Sequence, residues 1–328
     1  MKMFKLLGTV AAAAAALAAG QAQASLTSFQ TLSGAGFGMS TSGCGSTTQA
    51  CSLAGNVPVG ATVVAAYLYT STFSGGVASL TGTLNGTAFG AFTSLGSNGG
   101  LIAGRTDVTS IVTAGLASNV TGTYSFRVTE SSASQDGEAL VIVYKDATLA
   151  VNTIGILDGF SASAGDNFTL GIQPWTATST AEMRLGIGFS FDGTNCSGGS
   201  QTSRVTVNTT VITNNAGCND DSIDATPNNG NLITMGDDND AVSPLLPTIA
   251  QDHEKYNLAG QIALNSTSIN VNTLNPSNDD NIFLAVFKLS GQATVCTVNC
   301  TVPEPAPLAL VGLALTGLAL QRKFAKRA

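Results

Sequence analysis

Apolar positions in the body of the chain fall in short β-branched runs, separated by clusters of Gly, Asn and Asp. Residues 62–69 form such a run, opened by Pro58 and Gly60. Residues 77–84 lead into Asn85-Gly86, and 87–93 follow. Asn-Gly supplies the two positive φ angles of a two-residue hairpin, so a hairpin is predicted there. Tyr124, Phe126 and Val128 alternate with polar residues, as in a half-buried strand. The continuous run Ala139-Leu140-Val141-Ile142-Val143 predicts a strand buried on both faces. Further strands are predicted over 152–157, 168–172, 183–191, 204–212, 267–272 and 281–289. Few stretches carry a helical period. The pattern therefore predicts an all-β fold, a β-sandwich or jelly-roll-like body. A shift in composition at Asp192-Gly193 divides it. Two packed modules are expected, 25–191 and 192–301, the second being either a separate β-rich unit or an extension of the first.

Both ends break this pattern. Lys2 and Lys5 precede an apolar stretch over 6–19, and Ala22-Gln23-Ala24 follows. That order predicts a signal peptide over 1–24, cut between Ala24 and Ser25. At the other end, residues 306–320 carry no charge and are rich in Leu and Ala. As a helix this run would span roughly 22 Å, short against a hydrocarbon core of about 30 Å. Arg322, Lys323, Lys326 and Arg327 follow it. Basic residues placed there predict a transmembrane helix with a cytoplasmic C-terminus and an exported body. A buried helix of a soluble domain would need a polar face. Only Thr316 and two glycines interrupt this one.

The motif Val302-Pro303-Glu304-Pro305, the apolar run and the basic tail together resemble the PEP-CTERM sorting signal of Gram-negative bacteria. The resemblance covers residues 302–328, about the last tenth of the chain. It implies processing near Pro303-Glu304-Pro305 by an exosortase, a membrane-embedded cysteine protease or transpeptidase. The chain would be held transiently in the inner membrane through its C-terminal segment. It would then pass to the cell envelope, outer surface or extracellular matrix. The family's association with exopolysaccharide and biofilm makes extracellular polysaccharide or other surface proteins the expected partners. Separately, residues 137–144 and Asp107-Val108-Thr109 are similar to patterns in β-rich bacterial surface proteins, which implies no activity.

Charge narrows the partners. Six of the 13 Lys and Arg residues lie in the two terminal signals, which leaves seven against 20 acidic residues with Glu304 of the motif counted, a net charge near −13. Such a body repels nucleic acid and anionic membranes. It is equally the surface of a protein that simply stays soluble. All six cysteines lie between the signals. An even count in an exported chain reads as disulfides, with 15 connectivities open to six cysteines. Proximity favours Cys44–Cys51, Cys196–Cys218 and Cys296–Cys300. Cys296 and Cys300 would serve as half of a zinc site, but no second pair has matching spacing.

Candidate chemistry is sparse. Asp and Asn cluster at 219–221, at Asp237-Asp238-Asn239-Asp240 and at 279–281. Calcium takes several oxygen ligands, often from sandwich loops, so Asp237, Asp238 and Asp240 are the candidate structural calcium site. Asp and Asn are also ordinary turn residues. His253 is the single histidine and sits in Asp252-His253-Glu254-Lys255, which reads as a solvated charged turn. No Gly-x-Ser-x-Gly elbow occurs. Paired carboxylates for glycoside hydrolysis come from distant strands, and the body has only Glu130, Glu138, Glu182 and Glu254 to offer besides aspartates. Glu138 opens the buried run and reads as structural. Trp175 follows Pro174 in an expected loop, and Tyr67 and Tyr69 share one strand face, which favours packing over a sugar platform. No catalytic residue emerges. The expectation is a non-enzymatic surface or matrix protein with a structural or adhesive role. The alternatives are a secreted hydrolase of matrix polysaccharide and a calcium-dependent adhesion module.

Overall fold

The computed structural model describes residues 25–45, 49–72, 76–98, 100–132, 134–161, 164–188, 202–217, 233–276 and 281–296. The expected signal peptide, Cys196, Cys218, Cys300, the sorting motif and the apolar tail lie outside the described residues, as does the Cys296 side chain. The expected spanning segment is among them; within the described residues, no helix is long and apolar enough to cross a membrane.

The described strands form four antiparallel sheets. The first outer sheet runs β3 (Ala50–Asn56), β9 (Thr123–Glu130), β5 (Gly82–Leu84), β6 (Thr87–Ala88). The first inner sheet runs β2 (Phe37–Gly45), β10 (Gln135–Lys145), β4 (Thr62–Thr72), β8 (Leu101–Asp107), β7 (Thr93–Asn98). The second inner sheet runs β1 (Thr27–Ala35), β11 (Val151–Asp158), β19 (Asn281–Ser290), β13 (Ala181–Gly188), β16 (Ile233–Met235), with β17 (Lys255–Asn257) also on β13. The second outer sheet runs β15 (Thr210–Ala216), β14 (Ser203–Val207), β18 (Ser268–Leu274), β12 (Asp166–Ile172), β20 (Ala293–Cys296).

Side-chain alternation stacks these sheets. Leu140, Ile142 and Tyr144 of β10 pack with Leu53, Phe126 and Val128 of the first outer sheet. Ala139, Val141 and Val143 of the same strand pack with Ile154, Ile156 and Phe283 of the second inner sheet. On β19, Ala285, Phe287 and Leu289 turn the other way, onto Phe168, Leu170 and Val205 of the second outer sheet. Three apolar layers thus separate four sheets. The central strands of both inner sheets are buried on both faces, which is why β10 and β19 read as unbroken apolar runs. Each fully buried Phe or Leu in these layers contributes about 2 kcal/mol relative to an exposed one.

Strand pairing runs across the expected division at 191/192, as the alternative of an extension of the first module allows. β13 pairs with β19, and β12 pairs with β18 and β20, so hydrogen bonds cross that point in two sheets. The strands group instead as 37–145 in one pair of sheets, and 27–35 with 151–296 in the other. The chain passes between the groups at Gly36, whose φ is 88° and where a Cβ would lie only 2.9 Å from the Asp146 carbonyl oxygen.

Other expectations are refined. Asn85 and Gly86 have φ of 53° and 74°, as the hairpin requires, but residues 77–79 before it form a 3₁₀ turn. The expected strand over 204–212 is two strands, β14 and β15, turned at Asn208 with φ of 54°. A helix, α1 (Thr109–Leu116), lies in a stretch for which no element was predicted, with the Asp107 carboxylate accepting from the Thr109 N–H at 2.8 Å.

Candidate functional site

Alternation along β9 turns Phe126, Val128 and Glu130 inward, into the layer between the first two sheets. Glu138 enters the same layer from β10, opposite Cys44 of β2 and Thr70 of β4. The Cys44–Cys51 disulfide closes the edge of this layer, as proximity predicted. Gly137 is required beside it: its φ is 116°, and a Cβ there would collide with the Cys44 carbonyl oxygen.

This brings two carboxyl groups together out of water. Glu138 is 0% exposed and Glu130 6%. Glu138 Oε1 accepts from Gln135 Nε2 at 2.8 Å, and the same amide nitrogen reaches Thr70 Oγ1 at 3.2 Å. Neither oxygen of Glu130 makes a hydrogen bond of ordinary geometry, nor does Gln135 Oε1. Burial pushes Glu130 up to about 7, tempered by the neighbouring Glu138 carboxyl and the Gly137 N–H. Burial, then the charge of Glu130, holds Glu138 well above the usual carboxylate range. Continuing the alternation of 124, 126 and 128 by one step would have placed Glu130 inside from sequence.

The Asp237–Asp240 loop is organised differently. Arg184 projects from β13, pairs with the Asp238 carboxylate and donates to Thr41 Oγ1 at 2.7 Å. Lys255 Nζ donates to the carbonyl oxygens of Asp238 and Asp240 at 2.8 and 2.9 Å. Asp237 Oδ1 accepts from the Asn239 N–H at 3.1 Å, and Asp240 Oδ2 accepts from the Asp237 N–H. Burial raises Asp237, and raises Asp240 to about 7. These acceptors are thus turned onto two cations and the loop's own backbone, while Asp237 Oδ2 and Asp238 Oδ2 are buried without a hydrogen bond of ordinary geometry. Among the described residues, the group of His, Cys, Asp or Glu ligand atoms converging within 4.8 Å is Cys44, Cys51 and Glu138, not these aspartates.

The stretch 252–255 is not the solvated turn its charges suggest. Asp252 and Glu254 are both 0% exposed. Asp252 accepts from Tyr256 Oη at 2.7 Å and from the Thr213 hydroxyl. Glu254 accepts from the Gly217 N–H at 3.0 Å and from Thr234 Oγ1 at 2.9 Å. These carboxylates knot β15, β16 and β17 together, so their residue types reflect buried hydrogen bonding rather than solvent.

A shallow cleft of about 260 Å³ lies between Phe29, Tyr67, Arg105 and Asp107. Arg105 stacks on the Phe29 ring with its carbon 3.4 Å from the centroid and pairs with Asp158. Tyr69 Oη donates to the same carboxylate at 3.1 Å. A second cleft, about 310 Å³, is lined by Asn85, Ile111 and Tyr124. Neither cleft touches Glu130 or Glu138. Trp175 is 5% exposed within the last apolar layer and offers no open platform. Tyr67 and Tyr69 share a face, both against the middle layer.

No protein-family model matches the chain, and no curated protein matches it.

Proposed function

We propose that the chain is an exported, non-enzymatic protein of the cell envelope or extracellular matrix of a Gram-negative bacterium. It would be sorted by an exosortase through residues 302–328 and would work structurally or adhesively against exopolysaccharide or another surface protein. The observation that carries this reading is the order of Val302-Pro303-Glu304-Pro305, an uncharged run over 306–320 and four basic residues after it. Export by the N-terminal signal over 1–24 agrees with it, and so does a cystine between Cys44 and Cys51. The body suits a load-bearing role. Its buried Asp252 and Glu254 hold strands together, and its two described clefts are shallow.

The test is the intact mass of the protein in membrane and culture-supernatant fractions of its host. Loss of the segment after Pro303-Glu304-Pro305, with the body outside the membrane, is the expected result. An intact tail with all protein in the inner membrane would sink the sorting reading and make the run a permanent anchor.

The alternative of a polysaccharide hydrolase draws on one observation, the closeness of Glu130 and Glu138. Glycosidase carboxyls flank a substrate, whereas these two face each other inside an apolar layer. Release of reducing ends from the host's polysaccharide by the wild type, lost in Glu138→Gln, would revive that alternative.

A further inference from the structure

The other buried carboxylates described above have an identifiable donor. Asp158 has Arg105 and Tyr69, Asp238 has Arg184, Asp252 has two hydroxyls, and Glu254 has an N–H and a hydroxyl. The Glu130–Glu138 pair departs from this rule. No lysine, arginine or histidine is among the groups acting on either carboxyl. Glu138 Oε2 has a neighbour in Cys51 Sγ at 4.0 Å, but a disulfide sulfur carries no proton to donate. Both Glu130 oxygens and Gln135 Oε1 are buried without a hydrogen bond of ordinary geometry, and the polar groups acting on Glu130 are the Glu138 carboxyl and the Gly137 N–H. The result is a cluster of carboxyl and amide oxygens with two N–H donors beside it, Gln135 Nε2 and Gly137 N–H, where burial opposes charge on both carboxyls unless a cation answers it.

We propose that Glu130, Gln135 and Glu138 form a binding site for a hard divalent cation of the calcium class, built where β9 and β10 meet beside the disulfide. The donor set fits that chemistry. It offers two carboxylates and, once the Gln135 amide turns its oxygen to where its nitrogen now meets Glu138 and Thr70 Oγ1, an amide carbonyl, all oxygen. Calcium takes six to eight oxygens and accepts carboxylates in one- or two-atom modes. The sulfurs of Cys44 and Cys51 are bonded to each other and are not thiolates, so the site lacks the soft ligands that select zinc or copper. Its second independent mark is Gln135. This residue is 1% exposed, its nitrogen is engaged by Glu138 and Thr70, and its carbonyl oxygen is left over. The site is distinct from the Asp237–Asp240 loop, where Arg184 and Lys255 stand at the acceptors.

Because the site closes on folding, the full chain is refolded from urea in chelator and in millimolar calcium at pH 7.5, and binding is also followed by calorimetry. One calcium per chain and a higher unfolding midpoint in calcium are expected. Glu130→Gln, which keeps shape and removes one charge, is expected to weaken calcium binding at least tenfold, while Asp240→Asn leaves it unchanged. If Glu130→Gln fails to fold, Glu138→Gln serves the same comparison. Identical unfolding of the wild type with and without calcium, and no heat of binding, would overturn the proposal and leave the pair as carboxyls sharing a proton. Binding lost in Asp240→Asn but kept in Glu130→Gln would overturn it too, moving the cation to the loop.

Discussion

The Asp237–Asp240 loop and the Glu130–Glu138 pair are two acidic regions with opposite settings. The loop has three aspartates in four residues and looks like a ligand cluster. In the fold it meets Arg184 from β13 and Lys255 from β17, and its charge is answered within the protein. The pair comes from one glutamate on each of two strands and looks like nothing in the sequence. In the fold it is deeper, and no cationic side chain acts on it. Density of acidic residues along a chain therefore does not locate unanswered charge. What locates it is whether the strand alternation brings a cation to the same layer.

Four changes would break or sharpen that contrast. The largest effect is expected at Arg184, which is 6% exposed. Arg184→Met strips the loop of its buried cation and leaves Asp238 uncompensated, a loss of about 3 kcal/mol in urea unfolding. A variant within half a kcal/mol of wild type would show that the loop's charge is answered by water instead. Next, replacing Cys44 and Cys51 by serine frees a closed loop of sequence separation 7. A loss of about 2.5 kcal/mol is expected from chain entropy alone. A much larger loss would mean that the disulfide also braces the pair it touches.

Glu138→Gln is expected to act with the opposite sign. In chelator at pH 8 it should stabilise by about 1 kcal/mol, because a neutral amide takes the place of a carboxyl whose ionisation burial and the Glu130 charge oppose. The pH direction follows from the raised folded values of both groups. Stability from a carboxyl whose folded value is raised is fully present below its unfolded value, near 4. It is lost as pH rises through the folded value, about 7 for Glu130. Wild type in chelator should therefore weaken between pH 5 and 8, and Glu138→Gln should flatten that slope. The smallest effect belongs to Asp240, also raised to about 7 but partly open to solvent. Asp240→Asn should slightly flatten the stability profile between pH 4 and 7, in the same direction. An unchanged profile would show that Lys255 already cancels the burial of Asp240.

The sheets were legible where one physical cause dominated. The run 139–143 is apolar because β10 is covered on both faces, and Asn85-Gly86 turns because both φ angles are positive. β2 was not legible, although Ser40, Thr41 and Ser42 are all 0% exposed. Its hydroxyls stand in for apolar groups by satisfying backbone. Ser40 and Ser42 accept from the N–H groups of Asn56 and Ala54 at 2.9 Å, and Thr41 donates to the Gly236 carbonyl at 2.6 Å. Polar residues of this kind look solvent-facing in any hydrophobic pattern. The same limit hid Asp252 and Glu254, whose partners come from β15, β16 and β17. The shift in loop composition at 192 could not tell a separate module from an extension, because it says nothing about which strand edges bond. For the site, the disulfide partner Cys51 and the unusual placement of Glu138 were readable. Glu130 needed only the alternation of β9 carried one residue further.

The crossing at Gly36 has a consequence for how the protein is made. β1 leaves the ribosome first, yet its partner is β11, and Ser33 meets Thr153 across 120 residues of chain. At ordinary synthesis speeds that is a wait on the order of ten seconds. During it the strand has nothing of its own to pair with. An apolar strand left open for so long would invite neighbouring chains. β1 is instead Thr-Ser-Phe-Gln-Thr-Leu-Ser-Gly-Ala, half of it still solvent-facing in the finished fold. Only Phe29 and Leu32 wait to be covered by the middle layer. The first strand to be made is thus one of the least adhesive, and the sticky strands β10 and β19 emerge only after partners for them exist.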